Sequence, residues 1–271
     1  MKTLKSKLTI EGNGLMSNIL SVFEIHPSDK RGIRFYIKDG IIEADPFNVV
    51  STDHFVVLAN LRTGIKIALV EHFMAACAVT EVDALDVFVK SEGFETPILD
   101  GSAKNWVEKF NEIGFKGESE TVKPLETPIV FHTGKSSIVL IPDNMTTITY
   151  SVDFNHPDLK QRWVTLNPEI NLAEIIEART FGYLKDLETF QKMGFSKGVT
   201  YENTLGLTDN GYTDKLRSEF EPIKHKILDI IGDLYLTGIN PLKLNANILV
   251  KEAGHRYHIE VAKILKKQYR E

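Results

Sequence analysis

Short apolar runs followed by segments of helical periodicity characterise the first half of the chain. The runs KLTIEG, ILSVFEIHP and IRFYIK are separated by Gly, Pro and Asp residues and predict β-strands. Apolar residues then recur at i, i+3, i+4 and i+7, which is the spacing of one face of an α-helix. That spacing predicts helices over residues 69–79 and about 103–113, with the strand ALDVFVKS between them. The predicted packed face of the second helix consists of Trp106, Val107, Phe110 and Ile113.

The second half repeats this order. PIVFHT, SSIVLIP and TTITYSVDF predict strands, EINLAEIIEA predicts a helix, and ARTFGYLKDLETFQKMGF predicts a turn and a further helix. A helix over residues 224–236, the strand LNANILVKEAG and an amphipathic helix packed through Val261, Ile264 and Leu265 complete the pattern. Strands grouped before helices in each half indicate α+β layers and not a doubly wound parallel sheet.

A polar segment without apolar periodicity, KGESETVKPLE at residues 116–126, lies between the two halves. Its composition is typical of a linker between units of similar size. We therefore expect an N-terminal α+β domain over residues 1–117 and a C-terminal α+β domain over residues 122–271.

Composition and charge exclude several classes of protein. The 271 residues are 42% hydrophobic and 25% charged, and the net charge of −5 argues against a general nucleic-acid-binding surface. The single cysteine, Cys77, excludes a disulfide framework and a multi-cysteine metal site. No run approaches the ~18 apolar residues of a membrane span, and the first twenty residues lack a signal-peptide core. We expect a cytoplasmic protein with no stable membrane insertion.

The helix predicted at 224–236 carries the clearest candidate chemistry. Its sequence KHKILDIIGDLYL aligns His225, Asp229 and Asp233 on one face, and apolar residues fill the remainder. Buried carboxylates persist when they are paired, hydrogen-bonded or bound to metal. A histidine one turn before an aspartate makes half of a zinc site, and Glu71-His72 offers a third ligand beside a carboxylate. Three ligands, an open position and a nearby carboxylate are typical of a catalytic zinc hydrolase.

Each of these features also has a structural interpretation. A histidine four residues before an aspartate is common on helix surfaces, and most Glu-His pairs are solvated. Asp233 could cap or pair structurally. His255, in EAGHRYH, follows a strand and a glycine, a loop position where functional residues concentrate, although an exposed loop histidine would fit the sequence as well.

Taken together, six segments resemble one family, the UDP-3-O-acyl-N-acetylglucosamine deacetylases, which are the zinc enzymes of lipid A biosynthesis. The segments are VEHFMAACA, TPILDGSA, DFNHP with the following QR, ARTFGY, HKILDIIGDLYL and AGH, in the family's order. The resemblance implies two similar α+β domains, each a sheet layer and a helix layer. The helix layers would face each other with the active site between them. It also implies one Zn²⁺ per chain and an acylated UDP-amino sugar as substrate. We expect a monomer.

The resemblance implies roles for individual residues as well. The zinc ligands would be His72, His225 and Asp229. The other catalytic residues would be Glu71 as general base, His255 as the second catalytic histidine paired with Asp233, Thr180 at the oxyanion and Lys226 at the substrate. The uracil would lie at Asp153 and Phe154. An insert at about 180–205 would hold the acyl chain, and its lining would include Phe181, Tyr183, Leu184 and Leu187.

The sequence departs from the family pattern at three places. Met16 stands where members usually carry a histidine, Gly198-Val199-Thr200 replaces the usual GGS, and His258 lies near a position where asparagine is more usual. None of these removes a predicted ligand or the base. They leave open a zinc amidohydrolase of this fold that acts on a different N-acylated amino sugar. A non-catalytic binding protein of the same fold is the remaining alternative.

Overall fold

A computed structural model of the protein describes residues 1–269. In the first half of that range the strands are β1 (Lys2–Leu4), β2 (Leu8–Asn13), β3 (Leu20–Pro27), β4 (Gly32–Ile37), β5 (Gly40–Glu43), β6 (Val49–Ser51), β7 (Val57–Ala59), β8 (Lys66–Ala68), β9 (Ala84–Val89) and β10 (Phe115–Gly117). The helices there are α1 (Glu71–Thr80) and α2 (Lys104–Ile113).

In the second half the strands are β11 (Ile129–Thr133), β12 (Ser136–Pro142), β13 (Thr147–Val152), β14 (Arg162–Leu166), β15 (Thr180–Tyr183), β16 (Thr204–Leu207) and β17 (Ala246–Lys251). The helices are α3 (Leu172–Ile176), α4 (Leu184–Lys192), α5 (Glu221–Tyr235) and α6 (His255–Gln268). Short 3₁₀ helices lie at Pro46–Asn48, Pro157–Leu159 and Pro241–Lys243.

Two five-stranded sheets share one topology. The first has the order β2-β3-β9-β4-β5, and the second has the order β11-β12-β17-β13-β14. In each sheet the only parallel pair among the described residues is the third and fourth strand, β9 with β4 and β17 with β13. Buried and partly exposed residues alternate along β4 and β12, as expected for a sheet with one covered face.

The helices cover the buried faces of the sheets and meet each other. α1 packs against α2 and α5, and α5 packs against α6. Phe73 of α1 joins the aromatic core of the first sheet, with its ring 5.2 Å from Trp106 and 5.8 Å from Phe35. Residues of both sheets and of α1 and α5 form one continuous apolar core. The predicted α+β class is therefore confirmed.

Several predicted details differ from the structure. The helix expected over 69–79 begins at Glu71, because Leu69 has a φ of 64°, which no α-helix accommodates. His255 is not a loop residue but the first residue of α6. Ile264 is 39% exposed, so Val261 and Leu265 form the packed face of α6 without it. The predicted domain boundary at 117–122 stays a prediction.

Among residues 1–269, no helix combines the length and the apolar character needed to cross a lipid bilayer.

Candidate active site

The start of α1 presents two polar side chains to the interior. Leu69 turns the chain with its left-handed backbone, and its carbonyl accepts a hydrogen bond from the hydroxyl of Thr96. Glu71 and His72 follow at once in the first turn of the helix, and both are buried. The carboxylate of Glu71 accepts a hydrogen bond through Oε2 from the backbone N–H of Val56 at 3.3 Å. This leaves Oε1 free to face the site.

A close contact between α1 and α5 brings the two halves of the site together. A Cβ atom at Gly232 of α5 would overlap the backbone carbonyl of Glu71. Glycine at this position therefore lets the two helix backbones approach at the level of the polar residues. The close approach places the His72 ring 4.9 Å from the ring of His225, with the two planes almost perpendicular.

Three side chains converge at this contact. His225 Nε2 lies 3.3 Å from Asp229 Oδ1, and His72 Nε2 lies 3.8 Å from the same oxygen. One possible ligand atom from each of the three residues lies within 4.8 Å of the others, and all three residues are buried. Two of them come from one helix at i and i+4, and the third comes from α1, so the tertiary contact completes the set.

A hydrogen bond fixes which nitrogen of His225 faces this centre. Its Nδ1 lies 2.9 Å from the carbonyl oxygen of Ala178, and a carbonyl only accepts, so Nδ1 carries the proton. Nε2 is left with its lone pair toward Asp229. The next residue along, Arg179, is held by the carboxylate of Glu221 at 2.9 Å, and its backbone N–H donates to the same oxygen. This buried ion pair fixes the segment that supplies the Ala178 carbonyl.

The chemistry of the three donors fits a divalent cation. Asp229 Oδ1 is buried and has no hydrogen-bond partner among the residues that the structure describes, which is a costly arrangement unless a cation approaches it. Burial lowers the pKa of His72 to about 3 and also lowers the pKa of His225, so both imidazoles are neutral and able to act as ligands. Lys226, with Nζ 2.5 Å from Asp229 Oδ2, helps to hold the pKa of that carboxyl well below its usual value against the effect of burial.

Glu71 and His255 face each other beside these three residues. His255 Nε2 lies 3.9 Å from Glu71 Oε1 and 3.8 Å from Asp229 Oδ2. Burial raises the pKa of Glu71 to about 8, with His255 acting in the opposite direction. Burial also favours the neutral form of His255, but the carboxylates of Asp233 and Asp229 outweigh it and raise its pKa to about 9. Both pKa values are therefore higher than those of the free side chains, and strongly shifted pKa values are common among acid–base residues of active sites.

Asp233 lies behind His255 and not among the three converging donors. Its Oδ2 accepts from His255 Nδ1 at 2.7 Å, so the Nε2 of His255 points to the site. The same oxygen lies 2.8 Å from Nδ1 of His258, which is fully buried. Of the three residues aligned on α5, His225 and Asp229 therefore group with His72, whereas Asp233 groups with His255 and His258.

An apolar cavity of about 1440 Å³ opens above these residues. Thr180 and Lys226 line it together with the predicted acyl-chain residues of β15 and α4, namely Phe181, Tyr183, Leu184 and Leu187. Residues from the first half of the chain line it as well, including Met16, Val50, Phe55 and Leu61. Glu71, His72, His225, Asp229 and His255 thus line the same large and mainly apolar cavity.

The predicted uracil residues lie outside the lining of this cavity in the described part of the chain. Phe154 packs its ring 5.6 Å from Phe181, which in turn lies 6.0 Å from the His225 ring. Asp153 is exposed and accepts a hydrogen bond from the backbone N–H of Gln161. Phe154 is thus connected to the site through one aromatic side chain.

Two groups of site residues were not identified as functional from the sequence. The wall from β6, β7 and the neighbouring loops has no motif, because its residues are ordinary apolar ones. His258 does carry a signal, since it stands three residues after His255 and the two therefore share a face of α6. His255 was predicted to lie in a loop, so the helical spacing to His258 was not used.

Comparison with known proteins identifies close similarity over the whole chain. A sequence model of the family described as UDP-3-O-acyl N-acetylglycosamine deacetylase matches residues 1–267. The chain is 34% identical to a UDP-3-O-acyl-N-acetylglucosamine deacetylase of Leptospira biflexa over 278 residues, covering 98% of this chain and 90% of the relative. Proteins of the same name from a Nostoc species and a Psychrobacter species are 33% and 37% identical. The first alignment covers 96% of both chains, and the second covers 87% of this chain and 82% of the relative.

Proposed function

The chain belongs to the family of UDP-3-O-acyl-N-acetylglucosamine deacetylases, and from this premise we propose the residues and the metal by which it acts. It hydrolyses the acetamide of a UDP-3-O-acyl-N-acetylglucosamine, the deacetylation step of lipid A biosynthesis, and uses one Zn²⁺ per chain. The observation that carries this proposal is the convergence of His72, His225 and Asp229 beside two acid–base residues at the base of an apolar cavity.

His72 and His225 would hold the ion through Nε2, and Asp229 would hold it through Oδ1. When bound, Zn²⁺ supplies Lewis acidity toward water and the amide carbonyl, and its charge favours the ionised carboxylate of Glu71. The hydrogen bond from His225 to Ala178 keeps one ligand in the required tautomer and orientation. The buried surroundings exclude other water and strengthen each electrostatic interaction.

Glu71 and His255 divide the proton transfers. Glu71 takes a proton at Oε1 from the attacking water, whose oxygen forms the new bond to the acetamide carbon. His255 donates the proton on Nε2 to the sugar nitrogen as the C–N bond breaks, because an amide nitrogen leaves only as a protonated amine. The products are acetate and a free amine. The Asp233 carboxylate supports this role, since it favours the protonated ring and turns Nε2 toward the site.

Thr180 and Lys226 act on the substrate. The Thr180 hydroxyl donates to the oxyanion that forms at the carbonyl carbon, a contribution of a few kcal/mol, roughly, where water is excluded. Lys226 lines the cavity one residue after a ligand and offers a positive charge to the substrate. Phe181, Tyr183, Leu184 and Leu187 receive the acyl chain. Asp153 and Phe154 contact the uracil after a local rearrangement that opens the contact with Phe181.

The decisive experiment measures metal content and deacetylation on the same protein samples. His225→Ala should lose both zinc and activity. Glu71→Gln should keep its zinc and lose about 10²- to 10⁴-fold in kcat, the range of a general base, because Glu71 lies beside the ligands. Full zinc occupancy in His225→Ala would contradict the ligand assignment. Zinc loss in Glu71→Gln would make Glu71 a ligand instead of the base.

The substrate assignment has its own control. The unmodified enzyme should hydrolyse the 3-O-acylated UDP-N-acetylglucosamine far better than the same sugar nucleotide without the acyl chain. Equal turnover of the two compounds would point to a different N-acylated amino sugar as the natural substrate.

A further inference from the structure

A hydrogen-bonded chain extends from His255 away from the site. Asp233 Oδ2 lies 2.7 Å from His255 Nδ1 and 2.8 Å from His258 Nδ1. His258 Nε2 lies 3.0 Å from the hydroxyl oxygen of Tyr150, which lies 2.7 Å from the carbonyl oxygen of Ala253. Asp233 and His258 have no exposed surface, and Tyr150 is buried with them. The described mechanism uses the first contact alone.

The chemistry of the carboxylate determines the direction of both histidine contacts. An ionised carboxylate has no hydrogen to give, so each Nδ1 atom must carry a proton and donate it to Oδ2. Asp233 Oδ1 has no hydrogen-bond partner among the described residues. Both hydrogen bonds to this carboxylate are therefore accepted by Oδ2, one from His255 and one from His258.

Tyr150 connects His258 to the backbone segment that precedes α6. Ala253 precedes Gly254 and His255, and its carbonyl oxygen lies 2.7 Å from the hydroxyl oxygen of Tyr150. Tyr150 itself stands on β13, with its ring 5.9 Å from the ring of His258. One side chain from the second sheet thus contacts both His258 and the turn that places His255.

Asp233, His255 and His258 could also be considered as a second metal site, since each offers a ligand atom. Those ligand atoms are already hydrogen-bonded to one another at 2.7 and 2.8 Å. A cation would have to displace both protons and leave His255 without its hydrogen bond. The contacts therefore indicate a hydrogen-bonded support and not an ion site.

We propose that His258 is a positioning residue for the deacetylation. It orients the Asp233 carboxylate by donating to Oδ2, and the carboxylate in turn holds His255 with Nε2 toward the leaving nitrogen. Tyr150 fixes His258 from the other side. The inference rests on the proposed function for the role of His255. It assigns to His258 no contact with the substrate or the metal.

Three variants separate the donor from the bulk of the ring. His258→Asn keeps an N–H donor near the place of Nδ1 and should keep kcat within about 3-fold of the unmodified enzyme. His258→Leu fills the space without a donor and should lower kcat by about 10- to 100-fold, as loss of an outer hydrogen-bond partner commonly does. KM and zinc content should stay unchanged in both. Tyr150→Phe should lower kcat less than His258→Leu does.

A matched control for Tyr150→Phe tests whether the loss of another buried tyrosine hydroxyl also lowers kcat. Tyr235→Phe removes a buried hydrogen bond of 2.9 Å from the tyrosine hydroxyl to the carbonyl of Val82. This hydrogen bond is not part of the contacts that link His255, Asp233, His258 and Tyr150. Tyr235→Phe should leave kcat unchanged. If His258→Leu has the kcat of the unmodified enzyme, or if His258→Asn is as defective as His258→Leu, the proposal is overturned.

The protonation pattern can be measured without any substitution. In the unmodified, zinc-loaded enzyme, ¹⁵N NMR of the histidine rings should show a proton on Nδ1 of both His255 and His258. A His258 ring protonated at Nε2 alone would overturn the proposal even if every variant at position 258 failed to fold. Failure of the proposed function would be distinct, because the unmodified enzyme would then hold zinc poorly or leave the acetamide intact.

Discussion

At the scale of single residues, a hydrogen bond to one atom decides what the opposite atom can do. The Ala178 carbonyl accepts a hydrogen bond from the Nδ1–H of His225 and leaves the Nε2 lone pair available for the proposed metal. The Asp233 carboxylate does the same for His255, where the freed atom faces Glu71. The Val56 N–H occupies one oxygen of Glu71 and leaves the other. Each reactive atom is thus selected by a partner that takes no part in the chemistry.

The low pKa values of His72 and His225, which we propose as zinc ligands, give the first prediction at this scale. An imidazole with an ordinary pKa of ~6.5 is about nine-tenths protonated at pH 5.5, and protonation competes with metal binding. Burial lowers the pKa of His72 to about 3 and lowers that of His225, so both stay neutral as the pH falls through this range. Zinc should therefore remain bound at pH 5.5.

Equilibrium dialysis against a fixed free-zinc concentration at pH 7.5 and pH 5.5 measures this directly. The His225→Ala variant provides the level of zinc that binds elsewhere on the protein. Release of zinc with a midpoint near the ordinary histidine pKa would show that these imidazoles titrate freely, contrary to their buried setting.

At the scale of secondary-structure elements, the contact of α1 with α5 decides the geometry of the site. Each helix alone carries only part of the site, with Glu71 and His72 on α1 and His225 and Asp229 on α5. The distance between the helices sets the distance of His72 from the other two ligands. Gly232 lies at the closest point, against the Glu71 carbonyl.

Gly232→Ala should therefore destabilise the protein and weaken zinc binding. Alanine is favoured over glycine within a helix by about 1 kcal/mol, which would stabilise α5. The added Cβ overlaps backbone that cannot rotate away, and overpacking of a core costs about 1–3 kcal/mol. We expect the overlap to prevail and to separate His72 from His225 and Asp229.

Thermal unfolding and zinc titration of the same variant check this prediction. Gly211→Ala is the matched control, because its nearest heavy atom to a new Cβ lies at 4.0 Å. A Gly232→Ala protein that is as stable as the unmodified protein and binds zinc as tightly would show that the helices tolerate the wider spacing.

At the scale of the whole molecule, the two sheets have the same strand order and the same pattern of strand directions. Their insertions differ. The first half adds the small sheet β6-β7-β8, and the second half adds β15, α4 and β16. Residues of both insertions line the cavity beside the buried polar residues. The helices of the repeated frame thus carry Glu71, His225, Asp229 and His255, and the unequal insertions line the cavity that we propose for the substrate.

A bulky substitution in this wall should affect the acylated substrate selectively. Leu184 lines the cavity and is 37% exposed. In Leu184→Trp, exclusion of about two methylene groups of the chain would cost ~1.6 kcal/mol and raise KM about fifteenfold. KM for UDP-N-acetylglucosamine without the chain should hardly change.

Ile170→Trp is the control for adding an indole at an exposed site, since Ile170 is 80% exposed and lies outside the cavity lining. Steady-state kinetics with both substrates separate the two roles of Leu184. If Leu184→Trp affects both substrates equally and lowers the unfolding temperature, Leu184 packs α4 and does not receive the chain.

The sequence by itself determined the features that depend on neighbours a few residues away. The 3.6-residue period predicted α1, α2 and α5, and the spacing of His225, Asp229 and Asp233 on α5 follows from the same period. The family motifs identified Glu71, His72 and His255, because each lies within a short and unusual segment. The strand runs indicated the α+β class.

Only the tertiary structure decided which of these residues meet. Asp233 forms hydrogen bonds with His255 and His258 and not with the proposed zinc ligands, because α6 packs against α5 at that level. Tyr150, 108 residues before His258, completes the group of contacts behind His255, the proposed general acid. The first-half wall of the cavity likewise consists of ordinary apolar residues with no local signal. A local pattern records the side chains that one helix or strand presents, whereas packing between distant elements selects the partner for each of them.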